Sequence, residues 1–281
     1  IQQLRSVSGE FRVAKTKTAF VCNDCGADFP KWQGQCGECQ AWNTLSEIRL
    51  SAPAAKAANA RAAGLSGYAG TVAAVQRLEE VAVVDLPRLA SGFDELDRVL
   101  GGGFVPGSSI LIGGHPGAGK STLLLQALCQ LAAAHPALYV TGEESPEQIA
   151  LRANRLGLLT DQLRLMAETD VDAIMASAES LKPKILVVDS IQVVHSETLT
   201  SAPGSVSQVR DCAAQLTRYA KQTGTILILV GHVTKDGTLA GPKVLEHMID
   251  CSILLEGDHD SRYRTLRGQK NRFGAVNELG I

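Results

Sequence analysis

Aromatic residues are scarce in this chain: two Trp, four Tyr and six Phe make up 4% of its 281 residues, against 45% hydrophobic residues overall. A core so poor in rings has to be built from aliphatic side chains, the composition of a parallel sheet covered on both faces. Long apolar runs are missing as well. The longest strings are broken by charge within about eight residues, far short of the roughly 18–20 that cross a bilayer, so no membrane-spanning helix is expected. No secretory signal is visible, and a cytoplasmic location is expected. Charge of one sign is not in surplus, because 27 Lys and Arg against 29 Asp and Glu leave −2. That balance argues against a wholly basic nucleic-acid binder and leaves room for a local basic channel. No internal repeat occurs at solenoid or propeller periods.

The length suits one sizeable α/β domain plus something small. Residues 1–19, which open on Ile1 and not Met, read as a tail, trimmed or appended. Residues 20–46 form a compact unit built on paired cysteines. Residues 47–75 read as a linker, with Ala, Gly and Ser dominating "SAPAAKAANARAAGLSGYAG" and no apolar period. From residue 76 to 281, short aliphatic runs alternate with helical stretches. The runs are Ile110–Ile112, Leu138–Val140, Ile185–Asp189, Ile226–Val230 and Ile253–Glu256; the clearest helical stretches are Ser121–Ala134 and Ser207–Gln222. That alternation predicts a mostly parallel, helix-flanked sheet.

Seven cysteines divide into four close together and three scattered. Cys129, Cys212 and Cys251 sit among apolar neighbours and are expected to be small core residues. Cys22-x2-Cys25 and Cys36-x2-Cys39 give two knuckles, each able to aim two thiolates at one point. Together they suit a tetrahedral, structural Zn²⁺ with no position left for catalytic water. Two disulfides or an iron–sulfur cluster are the competing readings. Lys31, Trp32 and Trp42 decorate the unit, either as contacts for nucleic acid or a partner, or as packing against the turns.

"GGHPGAGKST" follows a strand, Ser109–Ile112, and opens a helix, the context that makes Gly114-x4-Gly119-Lys120-Ser121 a phosphate loop. Gly114, His115, Pro116, Gly117, Ala118 and Gly119 would wrap phosphate oxygens in backbone N–H groups. Lys120 would neutralise the β- and γ-phosphates of ATP, Ser121 would hold Mg²⁺, and Thr122 would add a contact nearer the α-phosphate. Asp189, ending "ILVVDS", is placed to hold Mg²⁺ through water at a strand's C-terminal edge. Glu143 and Glu144 end another strand. Either can orient the attacking water, with the first preferred because Ser145-Pro146-Glu147 reads as a helix start. His232 ends a fourth strand, as a sensor of the γ-phosphate or as a plain strand-end histidine. Two polar stretches, residues 196–210 and 233–247, are expected to be loops, the first of them mobile. Their cations Arg210, Lys235 and Lys243 are candidate DNA contacts.

Taken in order, the four cysteines, "GHPGAGKST", "GEES", "VVDS", "GHVTKDG" and "KNRFG" resemble one family, the bacterial RadA (Sms) DNA-repair ATPases related to RecA. The resemblance implies a RecA-like ATPase core behind a zinc-bearing N-terminus, with Mg²⁺ and ATP or ADP as ligands. It further implies hexameric rings on single-stranded DNA, helicase-like extension of recombination intermediates, and RecA as partner. The family also carries a C-terminal domain resembling that of the Lon protease; the chain stops at Ile281, before it, so properties attributed to that domain are not carried over. Within "KNRFG", strand alternation puts Lys270 and Arg272 on one face and Asn271 and Phe273 on the other, with Phe273 expected to anchor the motif in the core. RecA-like ATPases complete the active site with cations from the adjacent subunit, which implies that role for Lys270 and Arg272. DNA contact and ion pairing with an acid such as Glu278 are the rivals. Two other functional classes stay open: a nucleotide-gated, non-motor scaffold for recombinase loading, and a KaiC-like regulatory ATPase or autokinase.

Overall fold

The protein is described by a computed structural model at residues 17–22, 27–50, 77, 87–158, 161–233, 239–240, 243–257 and 262–281. The N-terminal part is a small antiparallel sheet of β1 (Lys17–Cys22), β2 (Asp28–Phe29) and β3 (Leu45–Leu50), in the order β2-β1-β3. Among its described side chains Cys22, Cys36 and Leu45 are buried, with Phe20, Ala27 and Phe29 packed on them. A unit of so few residues has little core to offset the ordering of its chain, which is the physical reason to expect a metal there.

The larger part is an α/β unit. Its elements run α1 (Asp94–Leu100), β4 (Ser109–Gly114), α2 (Lys120–Ala132), β5 (Ala137–Thr141), α3 (Pro146–Arg155), β6 (Leu163–Ala167), α4 (Val171–Leu181) and β7 (Ile185–Asp189). They continue with α5 (Val206–Thr223), β8 (Ile226–Val233), β9 (Leu239–Ala240), α6 (Lys243–Met248), β10 (Cys251–Glu256), β11 (Thr265–Asn271) and β12 (Leu279–Gly280). The strand order is β12-β11-β10-β4-β8-β7-β5-β6, with β9 paired to β8. The six strands from β10 to β6 are parallel; β9, β11 and β12 are antiparallel additions.

Successive residues of each strand feed opposite faces. Ile110, Ile112, Tyr139, Val187 and Ile228 pack with Leu124 and Leu128 of α2 and Ile149 of α3. Leu111, Val140, Val188 and Leu229 pack with Ile174 of α4, Leu216 of α5 and Leu245 of α6. The sheet is therefore covered on both sides, as the aliphatic composition requires, and each fully buried Leu contributes on the order of 2 kcal/mol. Cys129, Cys212 and Cys251 are buried among these residues, and burial pushes the Cys212 and Cys251 thiols up to about 12. None of the helices among the described residues is long and apolar enough to cross a membrane.

Three expectations change. The stretch 233–247 is not a loop throughout, since Leu239–Ala240 form β9 and residues 243–247 belong to α6. Nor is the stretch 196–210 a loop throughout. Residues 206–210 begin α5, and the buried Gln208 holds the preceding turn: its Oε1 accepts from Ser196 N at 2.8 Å, while its Nε2 donates to Ser196 O at 3.2 Å and Ser201 O at 2.9 Å. One amide side chain thus supplies the backbone partners that a polar sequence appeared to lack. Phe273 is not the anchor of "KNRFG" either. Asn271 is, only 8% exposed, donating to Val99 O at 3.3 Å and accepting from Phe273 N at 2.8 Å. β11 ends at Asn271, so the alternation that would have buried Phe273 stops two residues early.

Candidate nucleotide site and cysteine centre

The phosphate loop occupies the turn from β4 into α2, at the carboxyl edge of the parallel strands, where open sheets of this kind hold ligands. Gly114 is required by packing, since a Cβ there would stand 2.4 Å from Leu255 O on β10. Gly119 is required by conformation: its φ of +105° is left-handed, and a Cβ would meet nothing within 4 Å, leaving open space over the loop.

Lys120 is 5% exposed, with Nζ donating to Gly114 O at 2.8 Å and His115 O at 3.0 Å and standing 3.5 Å from His232 Nδ1. Burial lowers its pKa, and the charges of Asp189 and Glu143 oppose that shift. Ser121 Oγ donates to Asp189 Oδ2 at 2.6 Å, and Tyr139 OH donates to the same oxygen. The Tyr139 hydroxyl is pushed far above its usual pKa by burial and then by Asp189, so it stays a donor. Ser121 Oγ would bind Mg²⁺ directly, and Asp189, which accepts from that hydroxyl, would hold the ion through one of its waters.

β5 and β7 are neighbours, with Thr141 opposite Asp189, and this brings Glu143 to Ser190. Glu143 Oε1 accepts from Ser190 Oγ and lies 3.1 Å from His232 Nε2, which reaches it from β8. Burial works to raise the Glu143 carboxyl, but the bonds from Ser190 and His232 and the charges of His232 and Lys120 outweigh it and hold the pKa below the usual range. Glu144 turns away from this group, and Arg152 of α3 pairs with it. The helix start is as read, since Ser145 caps α3 reciprocally with Gln148. Lys120, Ser121, Glu143, Asp189 and His232 border one cavity of about 270 Å³. A second cavity, of about 540 Å³, opens on the other side of Gly117–Thr122, between the apolar walls of Phe93, Leu123, Leu255 and Leu266 and the guanidinium-bearing Arg262 and Arg264.

Lys270 and Arg272 are not brought to this loop. Asn271 pairs with Cys251, and Cys251 with Ile110, so the motif lies at the entry of β4 while the phosphate loop lies at its exit. About four residues at roughly 3.3 Å each separate those two edges. Lys270 Nζ donates to Ile249 O at 2.7 Å and to Glu246 O. Burial and the adjacent Arg272 charge lower its pKa, against Asp250 and Glu246. Arg272 pairs with Asp250 at 3.5 Å, not with Glu278, and its side chain is 52% exposed. Arg210 is exposed on the first turns of α5. Lys243 begins α6, and its side chain, like all of Lys235 and Cys25, lies outside the described residues.

Cys22, Cys36 and Cys39 place their sulfurs within 4.8 Å of one another, and Cys22 Sγ is 3.6 Å from Cys39 Sγ. Tetrahedral zinc at about 2.3 Å from each sulfur sets S···S edges of roughly 3.8 Å, so these thiols fit it. Trp32 and Trp42, 57% and 69% exposed, stand on this unit and are the chain's two tryptophans. Metal removal is therefore readable in isolation. Stripping the zinc, or Cys36→Ser, is expected to remove on the order of 10 kcal/mol of folding free energy from residues 17–50 and to lower tryptophan fluorescence anisotropy. The thermal unfolding of the α/β part should stay within a few degrees; an unchanged anisotropy after complete metal loss would count against the structural role.

A family model described as AAA domain matches residues 74–238, more than half of the chain, and one described as rubredoxin metal binding domain matches residues 20–47. The chain is 66% identical over 266 residues to the DNA repair protein RadA of Haemophilus influenzae, covering 94% of this chain and 57% of that protein. It is 63% identical over 265 residues to that of Escherichia coli K12, with the same coverage, and 47% identical over 270 residues to that of Bacillus subtilis, covering 96% and 58%. The chain thus spans a little under three-fifths of the curated relatives it matches.

Proposed function

The chain belongs to the AAA domain family, with RadA DNA repair proteins as close relatives, and on that footing we propose that it is the ATP-hydrolysing part of a DNA-repair motor. The observation that carries this is the meeting of Lys120, Ser121, Asp189, Glu143 and His232 around one cavity at the exit of β4. In the proposed reaction Lys120 exchanges its carbonyl partners for β- and γ-phosphate oxygens. Ser121, directly, and Asp189, through water, would hold Mg²⁺, which when bound would neutralise charge across those phosphates. Glu143 takes a proton from water as the water oxygen attacks the γ-phosphorus, and the bond to the β-phosphate oxygen breaks to release ADP and phosphate. His232, touching both Lys120 and Glu143, transmits the state of the γ-phosphate into the residues after β8. The base and ribose are proposed to enter the larger cavity, whose walls include Leu123 and Leu255.

Single-stranded DNA is the proposed track, met by Arg210, Lys235 and Lys243, and RecA the proposed partner in processing recombination intermediates. A hexameric ring is proposed because Lys270 and Arg272 lie at the end of β4 opposite their own phosphate loop, so that a role at a phosphate calls for the loop of another subunit. ATP turnover with and without single-stranded DNA, over a range of salt, tests the motor reading. Turnover is expected to rise with DNA, and the DNA affinity to fall steeply with salt as phosphate contacts release counterions. A slow rate indifferent to DNA at every salt concentration would replace the motor by a nucleotide-gated scaffold.

A further inference from the structure

The two carboxylates that close β5 are adjacent in sequence and separate in space. Glu143 turns to Ser190 and His232. Glu144 turns to α3, where Arg152 Nη2 donates to its Oε2 at 2.5 Å. Its backbone is fixed at both ends by one hydroxyl: Thr141 Oγ1 accepts from Glu144 N at 3.0 Å and donates to Glu144 O at 2.9 Å. Arg152 and Glu144 both border the phosphate cavity, and both also border the shallow groove along α3 beside it. Their side chains are 21% and 30% exposed, so the ion pair stands at the cavity's mouth, partly removed from water.

An unpaired Glu144 at that mouth would present a negative charge to the triphosphate. Ser121, Lys120 and the loop's N–H groups would then bind the same anion against a repulsion that water only partly screens. We propose that Arg152 is a positioning residue that acts through Glu144, pairing with it so that no second uncompensated carboxylate faces the incoming nucleotide. The proposal rests on the ATP-site reading and goes beyond it by assigning the two glutamates different work: Glu143 faces the reaction, and Glu144 is turned aside and neutralised. The rival role, a direct phosphate contact, has its own support, because Arg152 Nη1 is buried without a hydrogen-bond partner among the described residues.

A double-variant cycle separates the two. Binding of methylanthraniloyl-ADP with Mg²⁺ and the KM and kcat for ATP are measured for Arg152→Gln, Glu144→Gln and the double variant. Arg152→Gln is expected to weaken ADP binding and raise KM by roughly tenfold, with kcat changed far less, an effect that shrinks in high salt. Glu144→Gln alone is expected to bind within about threefold of the unaltered chain, and to bring the Arg152→Gln variant back to the same range. A double variant as weak as Arg152→Gln alone would overturn the proposal, in favour of direct phosphate contact if the thermal midpoint is unchanged and of helix packing if it drops. If the unaltered chain binds no Mg²⁺·ADP, the ATP-site reading fails, and this proposal with it.

Discussion

Glu143→Gln is expected to lower the rate of ATP hydrolysis by roughly 10²–10⁴ while nucleotide still binds, the loss typical of a removed general base. The amide keeps the size of the side chain and can still meet Ser190 Oγ and His232 Nε2, which hold Glu143 now. What it cannot do is accept a proton. Binding is expected to persist or tighten slightly, because the substitution removes a negative charge from a cavity built for an anion. Its two hydrogen bonds and the charges of His232 and Lys120 hold its pKa below the usual range against its own burial, so it meets the water as a carboxylate. Single-turnover hydrolysis and ADP binding, measured on the same preparation, check the result. A rate within tenfold of the unaltered chain would remove Glu143 from the reaction, and a large loss in Glu144→Gln instead would exchange the two roles.

The features that were legible in the sequence are those carried by contiguous residues. A strand, a glycine turn and a helix in one unbroken stretch identify the loop's place between β4 and α2, because period and turn chemistry are local properties. The aliphatic runs likewise mark five of the six parallel strands, each within a few residues of its observed ends; β6, a half-exposed edge strand whose "LRLMA" carries a charge, is not among them. Pairings between strands are a different matter. That Ser190 would reach Glu143 depends on β7 lying beside β5, and nothing in "VVDS" or "GEES" states that neighbourhood. Arg152 has the same character: it looks like a solvated helix residue until the backbone clamp at Thr141 turns Glu144 toward it. Arg262 and Arg264 border the larger cavity only because β11 folds back on β10. The same hairpin places "KNRFG" at the opposite edge of the sheet, a fact of register that no spacing of charges could reveal.

That register makes the second large effect specific. Lys270→Ala is expected to cut hydrolysis by roughly 10³–10⁵, the contribution of a cation that stabilises transferring phosphate from a neighbouring subunit. Within its own chain Lys270 gives its ammonium to Glu246 O and Ile249 O, at the end of α6, and Arg272 leans on Asp250. Asp250 is 1% exposed and also binds Lys221 and Ser109 N, so the cradle is rigid while the Arg272 guanidinium remains half exposed. For either cation to act on a phosphate, the phosphate must come from outside the chain. Mixing settles it: Lys270→Ala subunits retain their own loop, and Lys120→Ala subunits retain their cations. In a ring of head-to-tail interfaces, random equal mixing restores about one complete interface in four, so activity should rise well above both parents. Lys270→Gln and a thermal midpoint guard against a simple loss of the α6 contacts. If every mixture stays at the level of its parents while affinity for single-stranded DNA and its salt dependence both fall, the two cations belong to the DNA track, because phosphate contacts to DNA change affinity and salt slope without completing a neighbour's site.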